Sequence, residues 1–225
     1  MAWTKGWDLR STSAYVTDVA PNTYLISEAY PVTRNGVTFG YTDVDGLSVR
    51  NRNSAVDPRF AGLHFANAAT GPLPIQIDLP ATGDYTIRLS LGDYSYATNV
   101  HVVLKDNTTA FATIASDTTA ANRYRDATDV ERTSPSDWIT NNASITRTFA
   151  STTFNVVVGD GTASSGEVTH ILIDQVSAPS APAQAPNRNI QINYGGTFAG
   201  AGRGVFGRRQ ATRRRWPVPT EIENG

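Results

Sequence analysis

The stretch Gly83-Asp-Tyr-Thr-Ile-Arg-Leu-Ser-Leu-Gly92 places a large apolar side chain at every second position from Tyr85 to Leu91. A period of two is typical of a β-strand with one buried face and one face in solvent. The preceding stretch Pro74-Ile-Gln-Ile-Asp-Leu-Pro80 alternates in the same way. Because Pro80-Ala-Thr-Gly83 between them carries turn residues, the sequence predicts two strands joined as a hairpin.

Short segments of the same character continue on both sides of this pair. Turn-forming clusters of Asn, Asp, Gly and Thr separate them, and only Thr118–Arg132 is predicted to form a short helical turn. The further predicted strands are Ala14–Val19, Thr23–Ser27, Gly36–Tyr41, Phe60–Phe65, Asn99–Leu104, Ala110–Ile114, Ile145–Phe149, Phe154–Val158 and Val168–Val176. Many short strands at even spacing predict an all-β body, an antiparallel β-sandwich of the jelly-roll type. Its two ends are expected to meet, since the final strand is strongly apolar.

The sign of the charge changes along the chain. Residues 1–186 carry 12 Lys+Arg and 18 Asp+Glu, a net of −6, whereas residues 187–225 carry seven Arg and two Glu, a net of +5. A Pro/Ala segment, residues 179–186, separates the two parts and favours an extended, semi-rigid conformation. We therefore predict a sandwich domain over 1–178, a linker over 179–186, and an extended Arg/Gly-rich arm over 187–225 that cannot fold alone.

Composition excludes several classes of function. The chain has no cysteine, so disulfides, thiolate metal sites and cysteine nucleophiles are excluded. The first residues lack the apolar region of a signal peptide, and no apolar stretch approaches the length of a membrane span. We expect synthesis in the cytoplasm and no association with a membrane.

Catalytic and metal-binding motifs are weak. His64, His101 and His170 fall inside predicted strands, and no nucleophile elbow, zinc motif or phosphate loop is present. The carboxylates Asp126, Asp129 and Glu131 are interpreted as a solvated acidic stretch, although paired carboxylates for glycoside hydrolysis need not be close in sequence. Asp43-Val-Asp-Gly46 lacks the further ligands of a calcium loop and predicts a turn. We expect no enzyme activity and no cofactor. The loop carboxylates permit a structural Ca²⁺, but the sequence does not place one.

Three segments resemble a known group of domains. Gly83–Asp93 resembles the central strand of malectin-like and galactose-binding-like jelly rolls, which carry a Gly-x-Tyr-x-hydrophobic-x-Leu pattern there. Asp57–Phe65 resembles the strand that leads into their sheet, and Thr169–Val176 resembles their last strand. The similarity extends over about residues 7–176. Aromatic and polar side chains on loops bind sugars in those families, and the resemblance implies a site of the same kind in this chain.

The resemblance and the local sequence together give a set of candidate sugar-binding residues. Aromatic rings stack on the C–H faces of sugars, and polar side chains bond to the hydroxyls. The candidates, which lie after the strong strand or in later loops, are Asp93, Tyr94, Tyr96, Asn99, Tyr124 and Trp138. The alternative is that these aromatic side chains pack their loops onto the core.

The arm combines a strand-like start, apolar anchors and an arginine cluster. Its candidate partner-binding residues are Ile190, Ile192, Tyr194, Phe198, Phe206, Arg208, Arg209, Arg213, Arg214, Arg215 and Trp216. A lone strand needs an edge to pair with. A solvated tail and a nucleic-acid-binding tail are alternatives. We favour docking on a protein, because Arg suits carboxylates and Phe or Trp anchors interfaces. The acidic body of an identical subunit is one such partner, which predicts a homo-oligomer.

A second resemblance concerns the whole chain. The opening Trp7-Asp-Leu-Arg, the segment Tyr30–Gly36 and the basic tail are similar to structural proteins of tailed phages. There, such jelly rolls serve as capsid decoration or fibre modules. The predicted function is therefore a non-enzymatic virion structural protein, a capsid decoration, cement or fibre component. Its body would be carbohydrate-binding-like and its arm would dock on a protein partner. The alternatives are a carbohydrate-binding module with glycan recognition as its main role and, less favoured, a glycan-acting enzyme.

Overall fold

A computed structural model of the chain describes residues 3–10, 22–25, 27–52, 60, 62–66, 71–133, 143–159 and 166–176. Within these ranges the chain forms fifteen β-strands and no α-helix. The strands are β1 (Thr4–Leu9), β2 (Asn22–Leu25), β3 (Val32–Arg34), β4 (Val37–Tyr41), β5 (Leu47–Asn51), β6 (Gly62–Ala66), β7 (Leu73–Asp78), β8 (Gly83–Leu91), β9 (Thr98–Asp106), β10 (Thr109–Thr119), β11 (Tyr124–Arg125), β12 (Glu131–Arg132), β13 (Ile145–Phe149), β14 (Thr153–Val158) and β15 (Glu167–Gln175). The prediction of an all-β protein is confirmed.

The strands form two sheets packed as a sandwich. In the six-stranded sheet the order is β10-β9-β14-β7-β4-β3. In the nine-stranded sheet the order is β12-β11-β8-β15-β1-β2, with β13 also paired to β8 and β6 joining β5 to β15. Named strand pairs are antiparallel apart from β1 with β2. Because β1 lies beside β15, with Thr4 opposite Asp174, the two ends of the body meet as predicted.

The core lies between the two sheets and follows the period of two. The alternating residues of β8 from Tyr85 to Leu91 are fully buried, as are Leu73, Ile75 and Ile77 of β7. Aromatic side chains fill the space between them: the ring centroids of Trp7 and Phe39 are 5.8 Å apart. Large apolar side chains that interdigitate in this way give most of the favourable free energy of folding.

The predicted hairpin between β7 and β8 is wrong. Strand β7 belongs to the six-stranded sheet and β8 to the nine-stranded sheet, so the two do not pair. The backbone N–H of Leu79, at the start of the connection, donates to the carbonyl of Thr152 at 2.7 Å. Residues 80–83 therefore carry the chain from one sheet to the other. Turn residues indicated the change of direction but could not indicate which strands would pair.

The helical turn predicted for Thr118–Arg132 is also wrong. Strand β10 continues to Thr119, and β11 and β12 form a short antiparallel pair in which Arg125 lies opposite Glu131. The pair is attached to the nine-stranded sheet through Arg125 and Leu91.

The interpretation of the same segment as a solvated acidic stretch is wrong for Asp126. This carboxylate is fully buried and accepts hydrogen bonds from the backbone N–H of Thr128 at 2.9 Å and from Arg132 Nε at 2.7 Å. The other two carboxylates are paired with arginines as well, Asp129 with Arg125 and Glu131 with Arg123. Burial of a charge requires such compensation, so the loop is an ordered, ion-paired structure.

Of the remaining predictions, one concerns a loop and the others concern residues outside the described ranges. The segment Asp43–Gly46 forms the predicted turn, in which the N–H of Asp45 donates to Asp43 Oδ1 at 2.9 Å. The predicted strand Ala14–Val19, the linker 179–186, the arm 187–225 and Trp138 lie outside the described residues. The division into domains stays a prediction.

Two kinds of feature, a metal-binding cluster and a membrane-spanning helix, are absent from the described part of the chain. It holds no group of three or more His, Cys, Asp or Glu arranged to bind a metal ion. Within the same ranges no helix is both long and apolar enough to span a bilayer.

Candidate functional site

The loop that follows β8, residues 92–97, is folded by its own Asp93. Gly92 has a φ of 105°, and its N–H donates to the carbonyl of Glu167 at 3.0 Å. The Asp93 carboxylate accepts the N–H of Ser95 at 2.9 Å, and the Asp93 carbonyl accepts the N–H of Tyr96 at 3.1 Å. This Asx-type turn places the side chain of Tyr96 at the tip of the loop.

Asp93 also forms a mostly buried ion pair with Arg52. Arg52 Nε donates to both carboxylate oxygens, at 3.1 and 2.9 Å, and Nη2 contacts Oδ2. The side chain of Asp93 is 1% exposed and that of Arg52 is 18% exposed. The hydrogen bond to Asp93 is the main cause that raises the pKa of Arg52 above its ordinary value. The guanidinium therefore stays charged and ties the end of β5 to the loop.

Tyr96 lies on this ion pair with most of its ring in solvent. Its ring centroid is 4.6 Å from Arg52 Cζ, which is cation–π geometry, and the residue is 60% exposed. The large hydrophobic residues exposed in the described part of the chain are Val44, Tyr96, Val130 and Val176. Tyr96 is the aromatic residue among them, and a charged group fixed by a buried carboxylate supports it.

The other two predicted tyrosines pack beneath the loop. Tyr94 is half-buried with its ring centroid 5.9 Å from that of Phe60, and Phe60 lies 4.9 Å from Tyr124. Tyr124 is fully buried and belongs with Phe60 and Leu172 to a small apolar cluster. A buried ring offers no face to a sugar, so the ligand-contact prediction for Tyr124 is corrected to that of a core residue. Asn99, at the start of β9, is exposed.

Glu167 is a buried carboxylate behind the loop that sequence reasoning missed. Burial raises its pKa to about 7, and the negative charge of Asp93 acts in the same direction. A hydrogen bond with Thr98 and the positive charges of Arg50 and Arg52 oppose the shift. The side chain is therefore partly protonated near neutral pH.

The Glu167 pKa predicts a stability that falls as pH rises. Unfolded Glu167 would ionise with a pKa near 4.5, whereas folded Glu167 holds its proton up to about 7. The native state therefore binds the extra proton between these values, and stability is lost across that window. We expect Glu167→Gln to raise the free energy of unfolding at pH 8 by about 2–3 kcal/mol and to change it little at pH 4.5. Urea unfolding at the two pH values measures this, and an equal effect at both would contradict the assignment.

A second arginine, Arg50 in β5, also contacts an aromatic side chain. Arg50 is exposed, and its Cζ lies 4.3 Å from the ring centroid of Phe65. The charges of Arg50 and Arg52 both act on Glu167, so the two arginines lie on the same side of the loop. Sequence reasoning identified Asp93 and Tyr96 but missed both arginines. Arg52 lies 41 residues from its partner Asp93, and nothing in its local sequence indicates the pairing.

A buried polar row crosses the nine-stranded sheet elsewhere. Ser90 lies opposite His170, and His170 lies opposite Asp8, so one register row contains a serine, a histidine and an aspartate. All three side chains are fully buried. His170 Nδ1 is 3.9 Å from Asp8 Oδ1, and Ser90 Oγ makes no hydrogen bond to any described residue. A serine nucleophile needs a hydrogen-bonded base and access to substrate, and this row provides neither.

The second buried histidine is held by a tyrosine. His64 Nε2 lies 2.9 Å from the carbonyl of Arg10 and must donate to it, so Nδ1 accepts the hydroxyl of Tyr41 at 2.5 Å. Burial lowers the pKa of His64 to about 4. All three histidines lie in strands, as predicted, and His64 remains neutral at physiological pH.

Comparisons with known proteins give structural neighbours only. The chain matches no protein-family model and no curated protein sequence. The crystal structure of the plant peptide RALF23 in complex with FER and LLG2 has a TM-score of 0.41 and 10% identity, over 82% of this chain and 42% of that one. A family 35 carbohydrate binding module from Clostridium thermocellum has a TM-score of 0.32 and 13% identity, over 67% and 100%. The family 32 module from C. perfringens NanJ in complex with galactose has a TM-score of 0.26 and 11% identity, over 57% and 92%.

These similarities concern the fold. The chain spans less than half of the first of these structures and 28% of the matched chain of the Agl-KA catalytic domain. The neighbours include carbohydrate-binding modules of families 35 and 32. The resemblance to phage structural proteins stays a prediction.

Proposed function

We propose that the β-sandwich is a non-catalytic glycan-binding domain with its site at the loop 92–97. The observation that carries this proposal is the exposed ring of Tyr96, supported by Arg52 and by the buried carboxylate of Asp93. Sugars present C–H faces to aromatic rings and hydroxyls to charged or amide groups. Arg50, in β5, and Asn99, at the start of β9, are both exposed and would supply such groups.

The support beneath Tyr96 favours binding on energetic grounds. An exposed aromatic side chain normally loses conformational entropy when a ligand orders it, at about 0.5–1.5 kcal/mol for each immobilised side chain. The cation–π contact with Arg52 restricts the ring before a ligand arrives. The half-buried ring of Tyr94 packs on Phe60 and holds the loop below it. The loop therefore resembles a preorganised platform.

Replacement of the Tyr96 ring tests the proposal. On a glycan array probed with the full chain, followed by calorimetry with the best glycan, we expect Tyr96→Ala to weaken binding at least about tenfold, about 1.4 kcal/mol. Tyr96→Phe keeps the ring and should bind within about threefold of the unsubstituted chain. Equal binding by the alanine variant, or no glycan bound at millimolar concentration, would contradict the proposed site.

The division of charge in the sequence favours a second role in assembly. We also propose that the arm, residues 187–225, docks on a protein partner in a larger particle, with a virion decoration, cement or fibre component as the leading case. The arm carries a net charge of +5 against −6 for residues 1–186, and Phe198, Phe206 and Trp216 suit apolar pockets. The acidic body of a second copy complements such an arm, which would give a homo-oligomer. A nucleic-acid partner is less favoured, because the acidic body would oppose a phosphate backbone.

Truncation after residue 186 tests the assembly role. We expect the full chain to sediment as an oligomer and the truncated chain to sediment as a folded monomer with unchanged β-sheet circular dichroism. Substitution of Arg213, Arg214 and Arg215 by Gln in the full chain should weaken assembly in a salt-dependent manner. If the truncated chain assembles as the full chain does, or joins particles equally well, the arm has no docking role.

A further inference from the structure

A polar groove lies on the face of the six-stranded sheet that points away from the core. Its volume is about 280 Å³, and its lining includes Gln76, Asn155, Lys105 and Asn107. This volume lies just below the usual range for ligand pockets, about 300–1,000 Å³. The groove suits a ligand of about one sugar ring in size.

Strand register builds the groove. Gln76 of β7 lies opposite Asn155 of β14, and Asn155 lies opposite Lys105 of β9. Directly opposed residues share a face of the sheet, with Cβ atoms about 4.5–5.5 Å apart. The row ends on small residues, Gly40 beside Gln76 and Ala110 beside Lys105. Three long polar side chains therefore stand side by side, with the backbone of Ala29 and Tyr30 packed over Gly40 at one end of the row and the small side chain of Ala110 at the other.

An apolar row runs beside the polar one. Val157 lies opposite Pro74 in the register of β14 and β7, two residues along from Asn155 and Gln76 on the same face. Both residues line the groove. A ring seated over them would meet C–H surface on one side and polar groups on the other.

The two amides of the row are held in place. Gln76 Nε2 donates to Asp78 Oδ1 at 3.0 Å, and Asn155 Nδ2 donates to the carbonyl of Asn107 at 2.8 Å. Gln76 also makes a side-chain hydrogen bond with Tyr30. The two amide oxygens can accept hydrogen bonds from the hydroxyls of a ligand, and Asn155 has a second N–H that can donate.

Lys105 supplies a positive charge that no described carboxylate pairs with. Asp106, its chain neighbour, points to the opposite face, is buried, and accepts the N–H groups of Ala150 and Ser151 at 2.8 and 3.1 Å. Asp78, which is two residues from Gln76 along β7 and does not line the groove, accepts the hydroxyl of Tyr30 at 3.0 Å and the amide of Gln76. The ammonium is thus available to an anionic group of a ligand.

We propose that this groove binds an acidic sugar of the hexuronate class. The sugar carboxylate pairs with Lys105, its hydroxyls bond to Gln76 and Asn155, and its C–H face lies over Val157 and Pro74. The groove is separate from the loop 92–97, since Thr98 and Lys105 stand about 23 Å apart along β9. The inference does not depend on glycan binding at Tyr96.

The chain contains two lysines, Lys5 and Lys105, which makes a selective probe available. Lys5 Nζ donates to the carbonyl of Asn35 at 2.8 Å and is buried, so it serves as an internal control. Reductive methylation of the full chain with ¹³C-formaldehyde labels the amines and keeps their charge. Titration with glucuronate should shift the Lys105 methyl resonance saturably in the millimolar range and leave the Lys5 resonance in place. Lys105→Arg identifies the resonance by its loss.

Ligand and variant controls make the proposal falsifiable. Glucose, which lacks the carboxylate, and acetate, which lacks the ring, should each shift the resonance far less than glucuronate at equal concentration. In calorimetry with glucuronate, Lys105→Gln and Asn155→Ala should each weaken binding at least about fivefold, and Lys105→Arg should retain most of it. If acetate shifted the resonance as much as glucuronate does, Lys105 would bind anions without recognising the sugar. If glucuronate caused no saturable shift, the groove would not be a binding site. Tyr96→Ala should not affect the titration, which separates this result from failure of the loop site.

Discussion

Asp93→Ala is expected to destabilise the chain by about 3 kcal/mol and to abolish glycan binding at the loop. The substitution leaves the mostly buried guanidinium of Arg52 without its carboxylate and removes the acceptor of the Ser95 N–H. We take the lower end of the range for a broken buried pair because Arg52 retains some exposure to solvent. Thermal unfolding should show a decrease in Tm of about 6–12 °C.

A solvent-accessible ion pair provides the matched control for Asp93. Arg88 and Asp174 pair at 2.8 Å across β8 and β15, and both side chains are nearly a third exposed. Asp174→Ala should therefore cost less than about 1 kcal/mol and leave glycan binding unchanged. Asp93→Asn keeps an acceptor for the Ser95 N–H but loses the charge. The stability of this variant should therefore lie between those of Asp93→Ala and Asp174→Ala. A stability loss for Asp93→Ala no greater than that for Asp174→Ala would show that the Arg52–Asp93 pair does not hold the loop.

Asp126→Ala is expected to cost about 4 kcal/mol, the larger of the two stability effects. Its fully buried carboxylate accepts the N–H groups of Thr128 and Val130, the N–H of Ala143 and the guanidinium of Arg132. Removal of the carboxylate leaves four donors without their acceptor at once and leaves the half-buried guanidinium of Arg132 without its counter-charge. Urea unfolding gives the free energy directly, and loss of the β11–β12 pair should appear as rapid hydrogen exchange in that segment.

Asp129 is the control within the same segment. Its carboxylate pairs with Arg125 at 3.2 Å and is more than a third exposed, and its φ of 63° favours Asn as the replacement. Asp129→Asn should change stability by less than about 1 kcal/mol. If Asp126→Ala proved as mild as Asp129→Asn, the segment would be the solvated acidic stretch that the sequence first suggested.

The strands were predictable because their signal is local. Burial at Tyr85, Ile87, Leu89 and Leu91 follows from the alternation of apolar residues alone, and Ile145–Phe149 has the predicted bounds. The pairing of strands was not predictable in the same way. Pro80 and Gly83 indicate a reversal of the chain, but whether the next strand pairs with the last or crosses to the second sheet depends on contacts distant in sequence.

Some residues of the candidate site could also be predicted from local sequence, whereas others could not. Asp93 and Tyr96 were identified because aromatic and acidic residues follow a strong strand directly. Tyr124 has the same composition signal but is buried by Phe60 and Leu172, which lie far from it in the sequence. Arg52 and Glu167 join the site only through the tertiary fold, so no local pattern marks them.

The most direct test of the proposed loop site is a crystal structure of the chain with the strongest ligand from the glycan array. We expect a sugar ring stacked on Tyr96, with a hydroxyl or carboxylate within hydrogen-bond distance of Arg50 or Arg52. A ligand bound with Tyr96 untouched would contradict glycan recognition by the loop 92–97.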